Sequence, residues 1–305
     1  KFAAASKKAN DEADINVIDR YWSGITVLID EPEVTDEEIE EAQDASVAIY
    51  VIRRNTGEGF DRKNEKGDFL LSDMERANLE KIAAAFDQTI VVFNTTVMDP
   101  RFTEEIEGID GVIYMGLLGM EAGRALCDII SGKVCPSGRL TDTWAKKYED
   151  YPASATFSAN DGDTQQENYN EDIYVGYRYY DAAGKAVRYP FGHGLSYARF
   201  AYSGLSVQRA GEQLVVRCRI ENVGSMTAAE TVQLYLAPPR KVAFAPPQIL
   251  TGFARRTLAP GEAAEITFTL TRRDVSYYSP AGKCWKVEGG VYELRLGASS
   301  RALSR

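Results

Sequence analysis

Three short apolar runs, separated by helix-patterned segments, set the texture of the first half of the chain. Val47-Ala48-Ile49-Tyr50-Val51-Ile52 is β-branched, bounded by Asp44 and Arg53-Arg54, and reads as a strand over 46–53 buried on both faces, as strands of parallel sheets are. Thr89-Ile90-Val91-Val92-Phe93-Asn94 and Gly111-Val112-Ile113-Tyr114-Met115 read as two further strands. Between them, Thr35-Asp36-Glu37-Glu38 and Ser72-Asp73-Met74-Glu75 are capping boxes, in which a hydroxyl and a carboxylate satisfy the free N–H groups of a helix start. The first opens a short helix to about Gln43. The second opens a stronger one, with Met74, Leu79, Ile82, Ala83 and Phe86 as its apolar face. A short helix is expected within 99–107, and another over Met120–Ile130, stopped by Gly132. Residues 1–20 are loosely patterned helix and 21–34 irregular. Strand and helix alternating at this spacing imply a parallel sheet covered by helices.

After Pro136-Ser137-Gly138-Arg139-Leu140 the pattern changes. Residues 150–170 are polar and loop-like. Ile173 to Tyr180 is aromatic and β-leaning, and Tyr189 to Tyr197 is a turn-rich hinge. Seven strand-like segments then follow, Leu205–Gln208, Leu214–Ile220, Thr231–Ala237, Ile249–Arg255, Ala264–Leu270, Trp285–Val287 and Tyr292–Leu296, divided by Gly, Pro and Asn turns. That spacing predicts an immunoglobulin-like sandwich. The expected architecture is α/β, a helix-covered and mostly parallel sheet (an α/β sandwich) over 1–190, followed by an all-β immunoglobulin/fibronectin III-like sandwich over 191–305.

Composition narrows the classes. The chain has 305 residues, 44% hydrophobic and 26% charged, which fits two globular domains and not a disordered polymer. A net charge of −10 argues against a nucleic-acid partner, which demands a basic face. No apolar run reaches transmembrane length. Cys127, Cys135, Cys218 and Cys284 show no CxxC spacing, and with one histidine a zinc site is not expected. Cys127 in a helical pattern and Cys218 in a strand pattern are expected to be buried free thiols. Few cysteines suit a reducing, cytoplasmic setting. No initiator methionine or signal-peptide pattern opens the sequence, so the chain is expected to begin inside a domain.

The candidate chemistry lies at the end of the first strand. Ligands of open α/β sheets collect at the carboxyl ends of strands, and there Asn55-Thr56-Gly57-Glu58-Gly59-Phe60-Asp61-Arg62 places a carboxylate, Glu58, between two glycines. Burial in a sugar-sized cleft would raise its pKa and keep it protonated near neutrality. Asp61 and Arg62 follow as loop-shaping partners, an ion pair that orients the loop, or as sugar contacts. Lys66 and Asp68 are candidates to border the same cleft, although charge in a loop is ordinarily solvated. Taken alone, the octapeptide also reads as a polar surface loop with a glycine turn. His193, between two glycines, reads as structural. Tyr174, Tyr177, Tyr179 and Tyr180, at strand spacing, read as core filling before sugar stacking. Asn94-Thr95-Thr96 matches a glycosylation sequon but stands at a strand end, which discounts it.

These residues together resemble glycoside hydrolase family 3, the β-glucosidase and β-xylosidase family, from about residue 44 to the end. The likeness rests on the strand with Gly57-Glu58-Gly59-Phe60-Asp61-Arg62, on Gly132 to Leu140, on Asp172 to Asp181 and on Pro190 to Tyr197. Asn222-Val223-Gly224, Leu250-Thr251-Gly252-Phe253, Pro260-Gly261-Glu262 and Gly297-Ala298-Ser299-Ser300 resemble the family's fibronectin type III-like module. The resemblance implies a retaining exo-acting β-glycosidase acting on a β-glucoside or oligosaccharide, with Glu58 as general acid/base and no cofactor or metal. It also implies a (β/α)8 barrel carrying a nucleophilic aspartate. No such barrel and no Ser-Asp-Trp segment occur in this sequence, and the sandwich's first strand is not seen before Lys1. Gly116-Leu117-Leu118-Gly119 stands where the family usually has a proline–glycine pair. The barrel is therefore expected on another polypeptide or segment, and a homo-oligomer stays open. The alternatives are β-xylosidase or α-L-arabinofuranosidase specificity, and a non-catalytic carbohydrate-binding or scaffold module.

Overall fold

The computed structural model describes residues 31–54, 61–159, 162–239, 242 and 245–304. The chain divides into two compact units, 1–126 with 146–148, and 127–145 with 149–305. The expected residues 1–20 helix and the Glu58 loop lie outside the described residues.

In the first unit, α1 (Asp36–Glu41) and α2 (Asp73–Ala85) start on the two expected capping boxes, each with both reciprocal bonds formed. Between and after them run β1 (Val47–Arg53), β2 (Gln88–Asn94), α3 (Phe102–Glu105) and β3 (Ile109–Tyr114). The three strands form a parallel sheet in the order β1-β2-β3, with Val47 opposite Gln88 and Arg53 opposite Asn94. Parallel neighbours need a crossover, and the helices supply it. Central β2 buries Val91, Val92 and Phe93, as a strand covered on both faces should.

β1 departs from expectation. Tyr50 and Ile52 are buried, whereas Val47, Ile49 and Val51 are exposed. β1 is an edge strand among the described residues, and α2 packs against it on one face only, so its side chains alternate with the pleat. α2 is also unlike its predicted face. Met74 is exposed, while Glu75 and Asn78 join Leu79 and Ala83 in the interior. Both polar residues are bonded there: Asn78 accepts from Val34 N at 2.9 Å and donates to Pro32 O at 2.9 Å, and Glu75 pairs with Arg54. α4 (Ala122–Ile130) ends as predicted at Gly132, whose φ of +71° suits glycine. None of its described side chains is buried, which leaves Cys127 exposed instead of buried.

The second unit holds β4 (Trp144–Ala145), paired with β5 (Val187–Tyr189), and α5 (Tyr177–Ala182). α5 replaces the strand expected over 173–180. Gly176, at φ +57°, breaks the extended path, and Tyr179 N and Tyr180 N turn back to its carbonyl. Tyr180 is still a core residue, and Tyr177 packs edge-on to Tyr235 at 5.7 Å while its hydroxyl accepts from Leu250 N at 2.9 Å.

β6 (Phe200–Ala210), β7 (Gln213–Asn222), β8 (Ala228–Ala237), β9 (Ile249–Leu258), β10 (Ala263–Leu270), β13 (Glu293–Gly297) and β14 (Leu303–Ser304) form the sandwich, with sheets ordered β10-β7-β6 and β14-β13-β8-β9. Between the sheets lie Val216, Cys218, Ile220, Val232, Leu234, Leu258, Ile266, Phe268, Leu270 and Leu296. The segment around Trp285 is not one of these seven strands. β12 (Cys284–Lys286) forms a separate hairpin with β11 (Tyr277–Ser279), and β14 takes its place in the sheet.

The hinge motifs are explained by one polar clamp inside this unit. Arg139 donates to Gly194 O at 2.6 Å and to Glu230 Oε2 at 2.9 Å, with the Glu230 side chain buried against it. Ser137 Oγ accepts from Ala229 N at 3.0 Å. Leu140 N donates to His193 O and Gly192 N to Leu140 O, each at 2.8 Å. His193 stacks on Tyr189, with ring centroids 5.0 Å apart, in the structural role expected of it. A Cβ on Gly194 would meet Gly138 O at 2.4 Å, so only glycine lets the two turns approach.

Candidate functional site at the carboxyl edge of the parallel sheet

The segment that carries Glu58 leaves β1 at Arg54 and returns at Asp61, and both of its described ends are held. Arg54 still follows the sheet, its N–H donating to Asn94 O at 3.4 Å. Its guanidinium turns inward and uses every donor it has. Nε donates to Asp68 O at 2.7 Å, Nη1 to Arg53 O at 2.8 Å and Glu75 Oε1 at 2.5 Å, and Nη2 to Leu70 O at 3.2 Å and Glu75 Oε2 at 2.7 Å. Planar, bidentate pairing of this kind is what arginine supplies and lysine does not. Glu75 Oε2 also accepts from Ser72 N at 2.8 Å, so the carboxylate that caps α2 is the one that fixes Arg54.

At the returning end Arg62 reaches across to the end of β2. Nη1 donates to Thr95 Oγ1 at 3.1 Å, Thr96 Oγ1 at 3.0 Å and Val97 O at 3.4 Å, and Nη2 donates to Asp68 O at 2.7 Å. Nε pairs with Asp68 Oδ1. The sequence reading set Arg62 beside Asp61; its carboxylate partner is Asp68, and Asp61 is exposed. Asp68 is correspondingly not a solvated loop charge. Its other oxygen accepts from Lys63 N at 2.7 Å, and its carbonyl is shared by Arg54 and Arg62. Lys66 behaves as expected of a loop charge, pairing in solvent with Asp73 at 2.6 Å. Behind these groups, Phe69 O accepts from Asp99 N at 2.9 Å, and Phe69, Thr95 and Met98 are buried.

The edge of the sheet thus offers a built platform with Thr95 and Thr96 at its back. Arg54 and Glu75 escaped the sequence reading as site residues, and Asp68 entered it only as a charge bordering the cleft. The available signal was the Arg53-Arg54 pair closing an apolar run, which a strand end alone does not require.

Other titratable groups stand elsewhere. Glu31 is pushed up by burial, opposed by the Tyr50 hydroxyl that donates to its Oε1 at 3.2 Å, but it lies beside the middle of β1. In the second unit, burial raises the Asp181 carboxyl against the pull of Arg301 and Gln248. Asp181 borders a cavity of about 670 Å³ with Lys185, Gln248, Arg295 and Arg301. Each of its cations already has a carboxylate: Lys185 with Asp150 at 3.3 Å, Arg295 with Glu293 at 2.9 Å, Arg301 with Asp181 at 3.4 Å. Among the described residues no three His, Cys, Asp or Glu side chains converge as a metal site would need, and no helix is long and apolar enough to cross a membrane.

A parallel sheet with a charged loop on its carboxyl edge, followed by a fibronectin-like sandwich, defines a two-part α/β and β protein. Residues 3–197 match the glycosyl hydrolase family 3 C-terminal domain and residues 230–300 the fibronectin type III-like domain. The chain belongs to glycosyl hydrolase family 3. It is similar to a beta-glucosidase of Ruminococcus albus, 33% identical over 290 residues, which cover 92% of this chain and 30% of that protein. It is also similar to an exo-alpha-(1->6)-L-arabinopyranosidase of Bifidobacterium breve, 34% identical, covering 90% of this chain and 36% of that one. Among solved structures, beta-glucosidase 3B of Thermotoga neapolitana in complex with alpha-D-glucose superposes with a TM-score of 0.84 at 34% identity, over 98% of this chain and 42% of that one. The chain spans about a third of the length of the curated relatives it matches. The α/β unit and β-sandwich are those the resemblance implied, and the described residues contain no (β/α)8 barrel.

Proposed function

We propose that this chain is the acid/base-bearing part of a retaining, exo-acting β-glycosidase, with β-glucosides as substrates. Glu58 is the general acid/base, and a (β/α)8 barrel outside these residues carries the nucleophilic aspartate. Retention needs two carboxyl groups about 5–5.5 Å apart, one attacking the anomeric carbon and one protonating the departing oxygen. Glu58 then takes a proton from the water that resolves the glycosyl–enzyme, the same carboxyl acting in both directions. Both groups being carboxyls, the chemistry calls for no cofactor. The observation that carries the reading is the platform at the sheet edge: Arg54 and Arg62, on either side of Glu58 in sequence, are bound to one carbonyl. The names of the relatives support a glucoside. The arabinopyranosidase among them keeps a second specificity in view, since most of the sugar pocket would belong to the barrel. We also hold to a division near residue 190, with the fibronectin-like part bracing its neighbours.

The test is complementation. The purified chain alone is expected to leave aryl β-glucosides intact, because one carboxyl cannot run a double displacement. Joined to or mixed with a family barrel, it should hydrolyse them in preference to β-xylosides and α-L-arabinosides. Clear turnover by the chain alone contradicts the reading. Sugar binding by the assembly with no turnover favours the scaffold alternative.

A further inference from the structure

The cavity of about 670 Å³ in the second unit draws its walls from the end of α5, the turn at 184–186, residues 247–248 ahead of β9, β13 and the return at 300–303. Its volume falls within the span of small-molecule sites, roughly 300–1,000 Å³. Gln248, 3% exposed, is held at both ends of its amide. Nε2 donates to Asp181 Oδ2 at 2.9 Å and to Ser300 O at 2.8 Å, and Oε1 accepts from Arg295 Nη1 at 3.0 Å. Arg301 donates through Nε to Asp181 Oδ1 at 3.4 Å and through Nη2 to Lys185 O at 2.8 Å. The polar wall is therefore one connected network, arranged before anything enters.

The charges of that wall cancel. Lys185 is matched by Asp150, Arg295 by Glu293 and Arg301 by Asp181. An ionic ligand would have to break a pair or bring an unmatched charge into a half-buried site, and uncompensated charge away from water is costly. A hydroxyl group meets no such penalty, since it donates and accepts at once. The network has room for both roles. Each Asp181 oxygen takes one bond, whereas a carboxylate offers about four acceptor sites. Arg301 Nη1 has no acceptor among the described residues. Three of the lining residues also carry a buried polar atom without a partner among the described residues, Tyr180 Oη, Arg295 Nε and Ser300 Oγ. Buried polar atoms are ordinarily satisfied, so three around one cavity set it apart from plain packing. Pro247 and Leu303 add apolar surface to the same walls.

We propose that this cavity binds a neutral mono- or disaccharide, its hydroxyls bonded to Asp181 and Arg301 and its C–H face against Pro247 and Leu303. The inference rests on the second unit alone and not on the assignment of Glu58. Charge balance sets the selectivity, so removing one charge from the wall must change which sugar is accepted.

The experiment titrates the 305-residue chain with D-glucose, cellobiose, D-glucuronate, D-glucosamine and glycerol, read by calorimetry and by backbone amide NMR shifts. Glucose or cellobiose is expected to saturate with a Kd on the order of 1 mM and to shift amides within 181–186, 247–248 and 300–303. Glucuronate and glucosamine should bind at least about 10-fold more weakly. Asp181→Asn keeps the shape and removes a negative charge. It should weaken the neutral sugars by about 10-fold and raise glucuronate above them. Arg301→Gln should weaken them similarly and favour glucosamine instead. No saturation by either neutral sugar at roughly 100 times the expected Kd would overturn the proposal. So would shifts confined to other residues, glycerol binding as tightly as glucose, or an unsubstituted protein that prefers glucuronate or glucosamine. Variants whose preference does not follow the charge removed would overturn it as well. Should Asp181→Asn fail to fold, Arg301→Gln decides alone, because that side chain is 36% exposed and its loss leaves the interior intact.

Discussion

Arg54 and Glu75 form the most consequential buried ion pair of the α/β unit, and replacing Arg54 by methionine isolates its role. Both side chains are 8% exposed, and they meet through two bonds of 2.5 and 2.7 Å. The methionine side chain fills similar space but donates nothing. Among the described residues, Glu75 would keep the Ser72 amide, 2.8 Å away, as its one donor to a carboxylate shut off from water. Breaking a buried pair from one side costs about 3–5 kcal/mol, because the remaining charge is left uncompensated. The carbonyls of Asp68 and Leu70 lose less, since Arg62 and Gly67 still reach them. Removing the second charge as well should recover most of the loss. The double variant Arg54→Met/Glu75→Leu forfeits the capping box, worth about 1 kcal/mol, but leaves no orphan ion. The assay is amide exchange at Val91, Val92 and Phe93 in β2, which are at most 1% exposed and should open only with the sheet. The opening free energy is expected to fall by about 3–5 kcal/mol in Arg54→Met and by about 1–2 in the double variant. A loss below about 1 kcal/mol for the single variant, or a double variant worse than either single, would refute the electrostatic argument.

Further outcomes follow from the second unit. His193 is lowered below its ordinary 6.5, first by burial and then by the Arg139 and Arg188 charges. The folded state therefore binds fewer protons than the unfolded chain, so stability present above pH 6.5 should be lost as pH falls through 6.5 toward the lowered value. It is the only histidine, so His193→Gln should flatten that part of a urea-midpoint profile, and an unchanged slope would contradict the assignment. Arg139→Met leaves Glu230, whose side chain is 3% exposed, with the Thr231 amide at 3.0 Å but without its guanidinium, and should cost about 3–5 kcal/mol in urea unfolding of this unit; a loss under about 1 would show that the clamp is ornamental. Leu234→Ala, in the centre of the sandwich core, should cost about 2–5 kcal/mol by the same assay, and a smaller loss would mean the cavity collapses.

The parts of the fold legible in the sequence are those governed by local rules. The β-branched runs became β1, β2 and β3, and Thr35…Glu38 and Ser72…Glu75 became working capping boxes, because each depends on neighbours within a few positions. The sandwich strands emerged for the same reason, from alternation and turn residues. What stayed hidden depends on tertiary partners. The aromatic run 173–180 looked extended until Gly176 turned it into α5. The inner face of α2 carries Glu75 and Asn78, which periodicity assigns to solvent, because Arg54 and the 32–34 backbone wait there. Short strands such as β4, β5 and β11 have too few residues to show a period. At the site, Arg62 was visible through its motif, but Asp68 was not: a charge in a loop looks solvated until the two guanidinium groups that fold onto it are known.

Nucleophile rescue offers the sharpest trial of Glu58. With the chain assembled on a family barrel, Glu58→Ala is supplied with an activated aryl β-glucoside and sodium azide, and the product is identified by NMR. Azide is already an anion and attacks the glycosyl–enzyme without a general base, so it replaces the half of the reaction that the missing carboxylate would serve. The account predicts that azide restores turnover to Glu58→Ala, leaves the unsubstituted protein unaffected, and yields the β-glucosyl azide, the retained anomer. No acceleration by azide in an otherwise folded variant, or an α-configured product, would contradict it.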